Sequence, residues 1–372
     1  MKKKILMVLV IASLLCSLSF TYAVNGFEHS VSGEAAIVID TATGRILYEK
    51  NINHKMPMAS TTKIMTALVA LERMPLDKQI EVDPKAVGVE GSSIYLKANE
   101  RIKMEDLLYG LMLRSGNDAA TAIAIAAAGS VEDFAALMNA KARELGANNT
   151  NFMNPHGLSH NEHYTTAYDL AIITRAAMHH PTFKEISKSK YWRAERSSEY
   201  NYFVNKNKIL SIVEGGDGVK TGFTKIAGRC LVASATREDM QFIAVTLNDG
   251  NWFNTTKELL DKSFSIYKPH VVYNANDLVG SLPITNGLKD NVNLLAAKKI
   301  VIPLKEEEFD KVTTKIQFPE TMHAPIIKGQ SVGKIYTYLN NELIDTTSIY
   351  TEEEVEKLSF KDKVYRFFKI KR

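Results

Sequence analysis

The chain has 372 residues, 45% hydrophobic and 24% charged, an ordinary globular composition long enough for two domains with cores of their own. Twenty glycines and ten prolines exclude a collagen-like or low-complexity protein, and two cysteines exclude a disulfide scaffold or a cysteine-rich zinc module. The net charge of +4 comes from two basic ends around a slightly acidic body, which argues against nucleic acid as a partner, because phosphate contacts need clustered positive charge on the fold itself.

Lys2, Lys3 and Lys4 precede an apolar stretch over residues 5–15, and Thr21-Tyr22-Ala23 approximates a small-residue cleavage site. Residues 1–23 therefore read as a secretory signal peptide, with the mature chain starting at Val24. The competing reading, an uncleaved anchor helix, is disfavoured by Ser13, Ser17 and Ser19, which shorten the apolar core. No later apolar run reaches the ~18–20 residues of a membrane span. The expected location is outside the cytoplasm, at the outer face of the cytoplasmic membrane or in the cell wall. The mature chain keeps a single cysteine, Cys230, which reads as a buried strand residue.

Residues 36–39 and 45–48 read as two strands joined by the tight turn Asp40-Thr41-Ala42-Thr43-Gly44. Apolar periodicity then predicts helices over 64–71, 105–112, 118–127, 131–145 and 168–178. Strands resume over 218–224, 229–235 and 241–247, followed by a helix over 254–267. Strands at both ends with helices between predict an α+β domain over 24–270, its antiparallel sheet joining the N-terminal hairpin to the late strands. From 271 the pattern changes to short β runs, 299–303, 313–318, 326–328 and 334–339, which predict a small all-β domain over 271–350. Residues 351–372 form a basic tail in which Phe360, Val364, Phe367 and Phe368 share one helical face among Lys361, Lys363, Arg366 and Lys369. That amphipathic pattern suits an anionic membrane surface; a solvated or docked terminal helix is the alternative.

Ser60-Thr61-Thr62-Lys63 opens the first of these helices, and residues three apart share a helical face, so the Ser60 hydroxyl and the Lys63 amine can touch. A serine hydroxyl is a weak nucleophile until a neighbour takes its proton, and a desolvated lysine can lose its charge and do so. Alone the pattern is weak, since a helix N-cap serine would look the same. It is joined by Ser115-Gly116-Asn117 at the mouth of the helix over 118–127 and by Lys220-Thr221-Gly222 on the first late strand. The three together, in this order, form the signature of penicillin-binding proteins and class A β-lactamases.

The chain resembles the low-molecular-mass penicillin-binding proteins that are serine D-alanyl-D-alanine carboxypeptidases. The likeness extends over the blocks around Ser60, Ser115 and Lys220, over Asn154-Pro155-His156-Gly157-Leu158, and into His323-Ala324-Pro325 and Gly329-Gln330-Ser331-Val332-Gly333. It implies a β-lactamase/transpeptidase-like catalytic domain, no metal and no cofactor. The implied substrates are peptidoglycan stem peptides ending in D-Ala-D-Ala, with β-lactam antibiotics as covalent inhibitors. By resemblance, Ser60 attacks the carbonyl between the two D-alanines and Lys63 takes its proton. Ser115 relays a proton to the departing amine, and Asn117 holds the peptide amide and Lys63. Lys220 supplies positive potential, Thr221 binds the terminal carboxylate, and Gly222 lets the substrate lie along the strand. The backbone N–H groups of Ser60 and Phe223 form the oxyanion hole.

One departure concerns the substrate carboxylate: Asn251-Trp252-Phe253-Asn254 lacks the arginine that some members carry there. A β-lactamase is disfavoured because Arg143-Glu144-Leu145-Gly146-Ala147-Asn148 does not match the deacylating carboxylate motif. A zinc peptidase on His156, His160 and His163 is disfavoured because Pro155 and Gly157 spoil the helix such ligands need, and the segment reads as a loop beside the cleft. A non-catalytic peptidoglycan-binding protein leaves Ser60, Lys63, Ser115 and Lys220 without a purpose.

Overall fold

The computed structural model describes residues 31–196 and 198–367, with the side chains of Tyr365 and Phe367 excepted. The signal-peptide reading of residues 1–23 and the Phe368 end of the tail lie outside the described residues.

The first strands are β1 (Ala35–Asp40) and β2 (Ile46–Lys50). Their turn is fixed by the Asp40 carboxylate, which accepts from the Thr43 backbone N–H (2.8 Å) and hydroxyl (2.6 Å). A one-turn 3-10 helix, Ala59–Thr62, leads into α1 (Lys63–Arg73). There follow α2 (Met104–Leu113), α3 (Asn117–Ala128), α4 (Val131–Glu144), α5 (Ala167–Met178) and α6 (Pro181–Lys188). The late strands are β3 (Gly216–Thr224), β4 (Gly228–Arg237) and β5 (Met240–Leu247), and α7 (Trp252–Ile266) follows them.

All five strands form one antiparallel sheet in the order β2-β1-β5-β4-β3, so the hairpin does join the late strands. β1 is buried along its whole length because both faces of the sheet are covered. Ile37, Ile39, Ile243 and Val245 face the helical core, whereas Phe242 points the other way and stacks on Phe264 of α7, with ring centroids 4.3 Å apart. β3 ends the sheet, so half of its backbone N–H and C=O groups are free to meet something other than β4.

Beyond α7 come β6 (Lys268–Tyr273), β7 (Leu278–Thr285), β8 (Asn291–Ala296), β9 (Ile300–Leu304), β10 (Val312–Gln317), β11 (Met322–His323), β12 (Ser331–Leu339) and β13 (Glu342–Thr351). β6 pairs with β9, and the rest form a sheet in the order β10-β12-β13-β8-β7-β11 over a second apolar cluster that includes Leu282, Leu294, Ile302, Ile335 and Ile349. The sequence shows β9, β10 and β12, but hides β7, which contains Gly280 and Pro283, residues that weaken a strand signal. Residues 326–328 make only a bridge, Ile326 to Val355, rather than a strand. Also unforeseen are α6, which starts on Pro181 directly after α5, and a ribbon pairing Tyr191–Arg193 with Tyr202–Val204. The tail forms α8 (Phe360–Phe367), with Phe360 83% exposed. Arg366, expected among the tail's basic residues, pairs with Asp290 and donates to the Gly287 carbonyl.

The catalytic-side sheet is tied to the second cluster through Arg45, whose guanidinium donates to the Pro303 carbonyl (2.7 Å) and pairs with Glu308 (2.5 Å) in a largely buried setting. Removing the cation strands both acceptors. Arg45→Met is expected to lower unfolding stability by about 1–3 kcal/mol, as for other lost charge-assisted bonds with a buried partner. Urea titration measures this, and an unchanged midpoint would show that the tie contributes nothing.

Candidate active site

The site is assembled on the 3-10 turn that carries Ser60. Ala59 adopts φ +47°, in the left-handed region, and this bends the chain sharply just before the serine. Two glycines press on the bend. A methyl at Gly157 would lie 1.9 Å from the Ala59 carbonyl oxygen, and one at Gly222 would lie 2.9 Å from the Ser60 nitrogen and 3.0 Å from that of Thr61. Both positions therefore need glycine for close backbone approach. His163 supports the bend from below. Its Nδ1 accepts from the Met153 N–H (3.0 Å), so Nε2 carries the proton and donates to Thr62 Oγ1 (2.8 Å), which in turn donates to the Ala59 carbonyl (2.8 Å).

Lys63 is the first residue of α1 and is fully buried. Its Nζ donates to Ser60 Oγ (3.1 Å), Asn117 Oδ1 (2.7 Å) and the His156 carbonyl (2.6 Å), so each of its three possible protons has an acceptor. Burial, reinforced by the charge of Lys220, holds the amine well below the ordinary lysine range, against a partial pull from Asp118. An amine whose charged form is disfavoured and that touches a serine hydroxyl has the chemistry of a general base.

Ser115 occupies the turn before α3 with φ +64°, and its Oγ accepts from Lys220 Nζ (3.1 Å). Lys220, buried on β3, also donates to the Thr221 carbonyl (2.9 Å). Burial, and then the charge of Lys206, pushes its amine down to about 7. Lys206 itself donates to Ser92 Oγ (3.4 Å). Thr221 is half-buried, Gly222 is buried against the Ser60 turn, and Phe223 is 61% exposed at the far end of the strand. The structure thus brings Ser60, Lys63 and Asn117 into one hydrogen-bonded group and Ser115 and Lys220 into another, with Gly222 against the nucleophile.

The block at Asn154–Leu158 was marked by resemblance and read as a loop beside the cleft, but what its residues and Asp118 do there carried no sequence signal. The Asn154 loop holds itself with an Asx-type turn, Asn154 Oδ1 accepting from the Gly157 N–H (2.7 Å), and it is pinned to α1 by Thr66, which donates to the Pro155 carbonyl (2.6 Å). Its contribution to Lys63 is a backbone carbonyl, invisible to motif reading. Asp118, directly after the Ser115 triplet, accepts from the Ile94 and Leu96 N–H groups (3.1 Å each) and so holds the 92–96 segment against α3. The three histidines do not converge. His160 Nδ1 accepts from the Glu162 N–H (3.0 Å), and burial pushes His156 down to about 3 and His163 to about 4. Among the described residues no group of His, Cys, Asp or Glu could hold a metal ion.

Residues 23–251 match the family model for D-alanyl-D-alanine carboxypeptidase, and residues 267–357 match that for the penicillin-binding protein 5 C-terminal domain. The chain is similar to D-alanyl-D-alanine carboxypeptidase DacF of Bacillus subtilis (strain 168), 32% identical over 347 residues, covering 90% of this chain and 88% of the relative. It is 34% identical over 360 residues to DacC of Escherichia coli (strain K12), covering 92% and 89%. Among solved structures it is similar to penicillin binding protein 5 from Haemophilus influenzae, with a TM-score of 0.68 at 27% identity, covering 88% of this chain and 99% of that one.

The 1.9 Å approach makes Gly157 a direct test of how tightly the serine is placed. Gly157→Ala, strained also by its φ of +89°, must displace the Ala59 bend. A shift of about 1 Å at a nucleophile costs on the order of 100-fold in rate. Penicillin acylation of a still-folded Gly157→Ala protein is expected to slow by that much; wild-type kinetics would mean the loop does not position Ser60.

Proposed function

The chain belongs to the D-alanyl-D-alanine carboxypeptidase family of serine hydrolases, and on that premise we propose that it trims the terminal D-alanine from peptidoglycan stem peptides through an acyl-enzyme on Ser60. The observation that carries the residue assignment is the fully buried Lys63 amine, 3.1 Å from Ser60 Oγ and held below its usual pKa. Lys63 takes the hydroxyl proton as Oγ bonds to the carbonyl carbon of the penultimate D-alanine. The negative charge that develops on the carbonyl oxygen is held by the Ser60 and Phe223 N–H groups. The C–N bond then breaks, and the leaving D-alanine amine receives a proton through Ser115, which Lys220 orients. Asn117 holds the substrate amide while gripping Lys63. Water releases the shortened peptide and returns Ser60.

Thr221 binds the terminal carboxylate, with the positive potential of Lys220 behind it. No arginine stands in the 251–254 segment, and Lys206, close enough to depress Lys220, supplies the second cation on that side. β-Lactams enter as mimics of the acyl-D-alanyl-D-alanine geometry and stay as the ester.

Incubation with a penicillin is expected to leave a mass adduct on the peptide that contains Ser60, and Ser60→Ala to abolish it. The second-order acylation rate should rise with pH as Lys63 loses its proton, then fall as Lys220 loses its charge above about 7. Lys63→Arg, which cannot deprotonate usefully, should slow acylation by at least ~100-fold. An adduct on another residue, or a flat pH profile, would overturn these assignments.

The same reading covers the ends of the chain. Residues 1–23 are a signal peptide, 24–270 the peptidase domain, 271–350 the small β-rich domain and 351–372 a membrane-binding tail. The exposed Phe360 and Val364 on α8, with Lys361 and Lys363 beside them, support the tail assignment. Each cation near an anionic surface adds about 1 kcal/mol, and so short an apolar stripe gives reversible binding. Deleting residues 355–372 should release the mature protein from anionic vesicles in a sedimentation assay and leave turnover of soluble peptides unchanged. Undiminished vesicle binding by the truncated chain would sink the tail assignment.

A further inference from the structure

The edge strand that carries Lys220 sets the direction of a bound peptide. With the terminal carboxylate at Thr221 and the scissile carbonyl at the Phe223 N–H, a substrate strand runs opposite to β3. The residues before the two D-alanines then pass Thr224 and arrive at the turn between β3 and β4. That is the end of the strand away from Lys220 and from the cations that receive the carboxylate.

A cavity of about 360 Å³ opens at this end. Its walls are residues 55–57, just ahead of the nucleophile turn, residues of the 159–164 loop, and Ile226 from the β3–β4 turn. The loop is joined to the end of β3 by Ser159, whose hydroxyl donates to Thr224 Oγ1 (3.3 Å). Ile226 is 73% exposed and stands as an apolar side chain on the open rim. The space is far larger than a methyl group needs and lies within the range of pockets that hold a ligand.

The polar part of the wall has a sign. Lys55 lines the cavity with its Nζ 4.8 Å from the centre of the Tyr164 ring, a cation–π contact that keeps the ammonium at the wall. Among the described residues Lys55 has no carboxylate in ion-pair reach. His160 Nδ1 accepts from the Glu162 N–H (3.0 Å), so the neutral ring carries its proton on Nε2 and is a donor there. Ser159 and Asn161 add further hydrogen-bonding groups, and none of the lining residues is acidic. A cation without an anion beside it, among neutral donors and above an apolar rim, matches an aliphatic stem that ends in a carboxylate.

We propose that this cavity is a subsite for the side chain of the residue immediately before D-Ala-D-Ala, and that it selects a long side chain ending in a carboxylate. That residue is the first to reach the turn. Its methylene groups lie against Ile226 and its carboxylate meets Lys55. The proposal rests on the stem-peptide reading above and deepens it, because it assigns the acyl side of the cleft a preference of its own.

The test uses the mature protein and three N-acetylated tripeptides ending in D-Ala-D-Ala, their first residue being L-homoglutamate, L-homoglutamine or L-lysine. The wild type should favour the homoglutamate peptide over its amide by about fivefold in kcat/KM, through KM, the size of effect a partly exposed ion pair gives. Raising the ionic strength should shrink that preference. Lys55→Met should remove it by slowing the acidic peptide alone, and Lys55→Glu should reverse it in favour of the lysine peptide. Acylation by benzylpenicillin, which has no such side chain, should stay within about twofold in both variants, because Lys55 touches no reacting group; the same measurement shows that the variants are folded. Equal rates on the acidic peptide and its amide in the wild type, or a preference that survives Lys55→Met, would overturn the subsite. Failure of all three peptides to turn over while penicillin still acylates Ser60 would overturn the stem-peptide reading, and the subsite with it.

Discussion

Everything around the catalytic cleft answers to one constraint: a lysine amine with no access to water must have an acceptor for each proton it carries. Lys63 meets it with Ser60 from its own turn, Asn117 from the start of α3 and the His156 carbonyl from the loop after α4. Three elements distant in sequence are thereby fixed to one atom. An unpaired buried charge would cost several kcal/mol, which is why the loop and the helix cannot drift without losing the site. The same burial that demands the acceptors disfavours the charged amine and holds it well below the ordinary lysine range.

The second lysine refines that balance. Lys220 lies on an edge strand, so its backbone is open to a substrate strand while its side chain reaches inward to Ser115. Its charge depresses Lys63, and Lys206 depresses both. Positive charge is therefore gathered on one side of Lys63, and it adds to burial in disfavouring that amine's charged form. Asp118 opposes part of this, and its chief structural work is to hold the 92–96 segment.

Three of the non-glycine left-handed residues lie around the cleft. Ala59, Ser115 and Tyr95 all take left-handed angles; the Ala59 carbonyl accepts from Thr62 within its own turn, the Ser115 hydroxyl from Lys220, and the Tyr95 carbonyl from Arg196. Non-glycine residues persist in that region only where the surroundings over-determine them. The nucleophile turn, the second serine and Tyr95 are thus held rigid by packing rather than by local preference. The β-rich portion meets the catalytic side through Arg45 and through the Lys299–Asp239 ion pair.

The sequence by itself determined the chemistry and much of the frame. Ser60 and Lys63 three residues apart, Ser115 before a helix and Lys220 on a late strand are local patterns, and local patterns survive without knowledge of the fold. Helices with a clean apolar stripe, such as α1, and strands rich in apolar residues, such as β1 and β5, were legible for the same reason. The tertiary structure decided what depends on atoms that sequence does not advertise. The His156 carbonyl on Lys63 is main chain, and main chain carries no residue signature. Gly157 and Gly222 matter through the backbone they admit, His163 acts through Thr62 on Ala59, and Lys206 is one lysine among many until the fold sets it beside Lys220. Arg366 read as one of the tail's basic residues, and only the fold sets Asp290 beside it; β7 was hidden by the proline and glycine that its place in the sheet tolerates. In each case a long-range contact fixed the outcome, and no local preference encodes a long-range contact.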